Sequence, residues 1–139
     1  MPENSVDEKA IKKAKISLGK SIKKCRGTLS QSQLAQAIGL PRSNMKYIED
    51  GVNAPTAEAY DKLIQRLKPD KVTRRRMDNL YMAIRKVPPP DVCRTITRNK
   101  DLIDAMRMLE DFKLTKEQLN SISVLFASFN KNREGELLT

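Results

Sequence analysis

The sequence predicts an all-α protein, and three observations predict it. Apolar residues recur at spacings of three and four along segment after segment, as one face of a helix requires. Hydrophobic residues make up 39% of the 139 positions, but aromatics only 4%, and Trp is absent. A core drawn from Leu, Ile, Met and Ala is at home in helices. Alternating runs of Val, Thr and aromatics, the mark of strands, are missing.

Each helix can be placed in turn. Residues 1–8 are polar and are expected to fray. From about Ala10 to Cys25, the residues Ala10, Ala14, Leu18, Ile22 and Cys25 make one stripe, and lysines cover the rest. Gly27 stops this helix, as a left-handed residue past the last turn does. Ser30 opens a second helix, with Gln33 at capping-box spacing, and Gly39 ends it. Pro41 starts a third, because a first helical turn tolerates a missing N–H. Gly51 closes it. Thr56 caps a fourth, carried by Tyr60, Leu63, Ile64 and Leu67, and Pro69 marks its end.

The second half has fewer stops. Val72, Leu80, Ile84 and Val87 suggest a helix over about 72–86. Pro88, Pro89 and Pro90 are expected to end it as a stiff extended spacer. A helix over about 99–112 carries Leu102, Ile103, Met106, Leu109 and Phe112. Thr115 and Gln118 form a second capping box, opening a helix over about 116–130 with Leu119, Ile122, Leu125, Phe126 and Phe129. Residues 131–139 are expected to be disordered.

Charge narrows the function classes. Lys and Arg number 27 against 17 Asp and Glu, a formal net charge of +10. Such an excess suits a polyanionic partner, nucleic acid or an anionic membrane surface. No apolar run is long enough to span a bilayer. The start, Pro2-Glu3-Asn4, lacks the apolar core of a secretion signal, so the expected location is the cytoplasm. Cys25 and Cys93 are far apart and make no ligand-spaced pair. The absence of His removes the commonest metal ligand and general base. Together with the lack of a Gly-rich phosphate loop, this points away from an enzyme, a metal site or a cofactor.

The most informative segment is Thr28-Leu-Ser-Gln-Ser-Gln-Leu-Ala-Gln-Ala-Ile-Gly-Leu-Pro-Arg-Ser-Asn-Met-Lys-Tyr-Ile-Glu-Asp-Gly51. Its apolar skeleton is Leu34, Ala35, Ile38, Leu40, Met45 and Ile48. Two short helices that cross steeply need a small residue at the approach, here Ala35, and a turn glycine, here Gly39. With Leu40, Met45 and Ile48 as anchors, Arg42, Ser43, Lys46 and Tyr47 are left on a free polar face. A helix held this way can offer that face to base edges in the major groove.

Here the sequence resembles the lambda-repressor-like (Cro/C1, XRE-type) helix-turn-helix family, over about residues 18–67. The resemblance rests on Ser-Gln-Ser-Gln-Leu-Ala at 30–35, Gly39, Met45, Ile48, Glu49, Gly51, Pro55 and the closing helix. It implies that Arg42, Ser43, Lys46 and Tyr47 read bases and that Gln31, Asn44 and Asn53 bind phosphate. It also implies an ion pair between Arg26 and Glu49. Departures are the short connection Gly27-Thr28, and Pro41 where a capping Ser or Thr is usual.

The expected organisation is therefore a helix-turn-helix DNA-binding domain at 10–68, followed by a C-terminal helical self-association module at 70–130. The expected function is transcriptional regulation, most simply repression by a homodimer on a palindromic double-stranded DNA operator, as in phage or mobile-element repressors. The alternative is an antitoxin that autoregulates its operon and holds a toxin with its C-terminal helices; an antirepressor is another conceivable protein partner. Arg74-Arg75-Arg76 is either a phosphate clamp or, more simply, a solvated face.

Overall fold

The computed structural model describes the backbone of residues 2–138 and the side chains of residues 6–131. Among the described residues there are eight helices and no strand. They are α1 (Pro2–Arg26), α2 (Gln31–Ile38), α3 (Arg42–Glu49), α4 (Ala57–Leu67), α5 (Lys71–Arg85), α6 (Pro90–Arg98), α7 (Lys100–Arg107) and α8 (Lys116–Leu138). None of them is long and apolar enough to cross a membrane. The chain divides into two compact units, Met1–Thr95 and Ile96–Thr139.

In the first unit, local signals set most of the helix ends. Gly27 takes φ +58° after α1. Ser30 Oγ accepts from Gln33 N at 3.0 Å, and Ser30 N donates to Gln33 Oε1 at 2.8 Å, so the capping box is complete. Thr56 caps α4 by accepting from Ala59 N, and Asp70 caps α5 by accepting from Thr73 N. Hydrogen bonding from the Thr73 side chain, and then from its backbone N–H, holds the Asp70 carboxyl below its ordinary pKa.

The core of this unit joins five helices. Leu18 and Ile22 of α1 meet Leu34, Ala35 and Ile38 of α2, and Met45 and Ile48 of α3. Tyr60, Leu63 and Ile64 of α4 and Met77 and Tyr81 of α5 complete it. Each fully buried Leu, Ile or Met contributes about 1.5–3 kcal/mol. Cys25 packs partly against this core as a small hydrophobe, and burial pushes its thiol pKa up. The Tyr60 and Tyr81 rings stack with centroids 4.3 Å apart. Tyr60 donates its hydroxyl to Asp78 Oδ1 at 2.5 Å, satisfying the polar tip of a buried ring.

The first compact unit runs to Thr95, because α5 lies along α1 and supplies Met77 and Tyr81 to the core. Three expectations about the helices of this unit need correction. The buried face of α5 is thus Met77 and Tyr81, while Val72 is 77% exposed. Pro90 does not prolong an extended spacer but starts α6, where its missing N–H costs nothing. Helix α1 runs back to Pro2 instead of fraying over its first residues; Met1 lies outside the described residues.

Ion pairs fasten α6 to α4 and α5. Arg94 reaches Asp61 with bonds of 2.9 and 3.1 Å, and Arg74 reaches Asp91 at 3.0 Å and Asp78 at 3.7 Å.

The second unit contains α7 and α8. The capping box at Thr115 and Gln118 is formed, with bonds of 2.9 and 3.2 Å. Helix α7 ends at Arg107, short of 112, in a series of turns through Asp111. Helix α8 continues to Leu138 where disorder was expected; its side chains beyond Lys131 lie outside the described residues. No described residue from Ile96 onward is buried. Met106, Met108, Phe112, Leu119, Val124, Leu125, Phe126 and Phe129 are all exposed.

Candidate nucleic-acid interface

The candidate surface is built on α3, and the turn before it sets its angle. Gly39 adopts the left-handed conformation at φ +73°, and Leu40 N donates back to Ala35 O at 2.9 Å. Pro41 is the N-cap and offers no side-chain acceptor. Its carbonyl instead accepts from Asn44 N and Met45 N. At the far end, Val52 N and Asn53 N both donate to Tyr47 O, so the chain folds back at once.

Close backbone packing presses α3 against α1. A Cβ on Gly19 would lie 2.4 Å from Glu49 O, so only glycine lets the two helices approach this closely. Gly51, at φ +77°, would carry a Cβ 2.6 Å from Ile16 Cα. Met45, Ile48 and Glu49 face inward and are buried. Arg42, Ser43, Asn44, Lys46 and Tyr47 are exposed. The four residues expected to read bases therefore share one open face.

Glu49 is the single buried charged residue among those described. Arg26 donates to both of its carboxylate oxygens, Nε to Oε2 and Nη2 to Oε1, each at 3.0 Å. Arg26 Nη1 also donates to Leu29 O at 2.8 Å, so the short connection after α1 helps hold the arginine. Gln31 donates its amide to Glu49 Oε1 at 3.3 Å. Of the three residues expected to bind phosphate, Gln31 thus turns one of its two amide N–H donors to Glu49. Asn53 and Asn44 are exposed and line one groove beside α3.

Arg74 is drawn into ion pairs with Asp78 and Asp91, whereas Arg75 and Arg76 are exposed. The triple-arginine run is accordingly split between a structural role and a solvated one. Two other residues shape the surface without having been singled out by sequence. An isolated glycine in a helical pattern signals close backbone approach, so Gly19 carried a readable hint. Arg85 carried none: it donates to Ala54 O at 3.0 Å and to Pro55 O at 2.9 and 3.1 Å, clamping the loop that bears Asn53.

Among the described residues, no group of His, Cys, Asp and Glu gathers as metal ligands would. The arrangement offers instead an exposed guanidinium, an ammonium, a hydroxyl, a phenol and carboxamides, all of them hydrogen-bond donors. No family model, curated protein or solved structure matches the chain.

Proposed function

We propose that this chain is a helix-turn-helix protein that binds duplex DNA sequence-specifically and represses transcription as a homodimer. The observation that carries the reading is the division of α3 into two faces. Met45, Ile48 and Glu49 are locked into the core, and Arg42, Ser43, Lys46 and Tyr47 stand bare on the other side. The major groove is about 12 Å wide and admits a helix presented in this way. Arg at the start of that face suits the O6 and N7 acceptors of guanine, and Tyr47 suits a thymine methyl or the sugar-phosphate. The +10 net charge adds sequence-independent attraction to phosphate.

The second unit supports the dimeric part of the reading. Its helices bury no described residue, yet expose a succession of Met, Leu and Phe side chains. A helical pair without a core gains stability by packing on another copy. Two recognition helices in a twofold dimer read half-sites about one DNA turn apart.

The test is to incubate the protein with a random duplex pool, recover the bound fragments and sequence them. An inverted repeat with half-sites about 10 base pairs apart, or a multiple of that spacing, is the expected output. Recovery of fragments with no shared sequence would remove sequence specificity from the reading.

A further inference from the structure

We propose that the groove between α1, α3 and the 52–56 loop is a seat for a DNA backbone phosphate, and that Lys15 of α1 supplies its charge. This deepens the DNA-binding reading and rests on it. The groove measures about 490 Å³ and brings Lys15 together with Asn44, Asn53 and Arg85. No carboxylate lines it. Lys15 forms no ion pair among the described residues. Arg85 donates through Nε and Nη2 to Ala54 O and Pro55 O, which fixes the loop, and its guanidinium adds a second positive charge to the groove.

The chemistry is that of a phosphate oxygen pair. An ammonium gives a point charge, and two carboxamide N–H₂ groups give further hydrogen-bond donors. Apolar side chains, Leu40, Ile48 and Pro55 among them, form the remaining wall and weaken screening by water. The groove opens beside the bare face of α3 through Asn44, the neighbour of Ser43. A phosphate flanking the major groove lies beside a helix inserted there, so the seat would set the register of the protein on the duplex. The sequence motif stretches from Thr28 to Gly51, whereas Lys15 and Arg85 come from helices outside it.

The test uses the full-length chain and a labelled mixed-sequence duplex, with affinity measured across about 50–200 mM salt. Lys15→Gln should reduce the slope of log affinity against log salt by about 0.9, the release expected for one phosphate contact. Affinity should fall severalfold, by the same factor on selected and mixed-sequence duplexes, and Lys15→Arg should restore the slope. Lys24→Gln is the comparison, since nine residues further on it lies about 180° around α1; its slope should stay near wild type.

An unchanged slope in Lys15→Gln, or an equal change in Lys24→Gln, overturns the seat while leaving the DNA-binding reading intact. Failure of the wild-type chain to bind any duplex overturns the reading itself. Inorganic phosphate, added at constant ionic strength, should not compete. Competition with wild type that Lys15→Gln abolishes would assign the groove to a free anion and overturn the backbone seat.

Discussion

Arg26 holds Glu49 by two hydrogen bonds of 3.0 Å, and through them α1 holds the C-terminal end of α3. The Glu49 side chain is 1% exposed and that of Arg26 is 16% exposed. Removing the guanidinium strands a buried carboxylate with only the Gln31 amide for company. Arg26→Met should therefore cost about 3 kcal/mol, the lower end of the range for breaking a buried pair, because Arg26 is not fully buried. The double variant Arg26→Met, Glu49→Leu should lose less than the single one. Urea unfolding of the two variants checks this; equal losses would mean that the pair, not the orphaned charge, sets the cost.

Gly19→Ala tests which of two opposed effects wins. Helix propensity alone would favour alanine by about 1 kcal/mol. The added Cβ, however, meets the Ile48 and Glu49 carbonyl oxygens at 2.5 and 2.4 Å, and backbone atoms cannot swing aside. Overpacking should win, with a net loss of about 1–3 kcal/mol. A thermal midpoint at or above that of the wild type would refute the close approach of α1 and α3.

Tyr60 ties α4 to α5 by donating to Asp78. Tyr60→Phe should destabilise by about 1.5 kcal/mol, since Asp78 keeps its ion pair with Arg74. Burial, and then the bond to Asp78, pushes the Tyr60 hydroxyl above its ordinary pKa of 10.0. The folded state thus keeps a proton that the unfolded chain gives up near pH 10. Stability from this group is complete below that pH and falls as pH rises further, by up to about 1.4 kcal/mol per unit. Burial raises Tyr81 as well, so Tyr60→Phe should lessen the alkaline loss without abolishing it. Urea midpoints from pH 8 to 11 measure the difference.

On the proposed DNA face, Arg42 and Asn53 should behave differently. Arg42→Ala should weaken binding to a selected duplex by about 1–3 kcal/mol and relax preference at one base pair. Asn53→Ala should weaken all sequences alike, because phosphate contacts carry no base information. Competition binding against single-base variants separates the two patterns. Uniform weakening in Arg42→Ala would reassign Arg42 to the backbone.

In the second unit, the Phe126 and Phe129 rings lie 6.3 Å apart, and both are exposed. If the proposed dimer forms through this surface, Phe126→Glu with Phe129→Glu should leave a monomer in sedimentation and sharply reduce affinity for a selected duplex. A double variant that still sediments as a dimer would move the self-association surface elsewhere.

The sequence alone determined what depends on residues three or four apart. Ser30 and Gln33, Thr115 and Gln118, and the Thr56 cap were legible because their bonds close within one helical turn. Gly27, Gly39 and Gly51 were legible as stops because a positive φ is a local demand. Met45 and Ile48 were legible as inward from their spacing, and the bare face of Arg42, Ser43, Lys46 and Tyr47 followed by subtraction; the burial of Glu49 was suggested only by the resemblance. The buried face of α5 was legible too, since Met77, Leu80, Tyr81 and Ile84 stand at i, i+3, i+4 and i+7; the expected stripe through Val72 broke that period. Tertiary structure decided the rest. That α5 joins the first compact unit depends on its packing along α1, which lies some fifty positions earlier in the chain. Arg85 reaches carbonyls some thirty positions away in sequence, and Lys15 and Asn53 line one groove from distant parts of the chain. The bare face of α3 could thus be read from spacing, whereas what flanks it was settled by packing between helices distant in the chain.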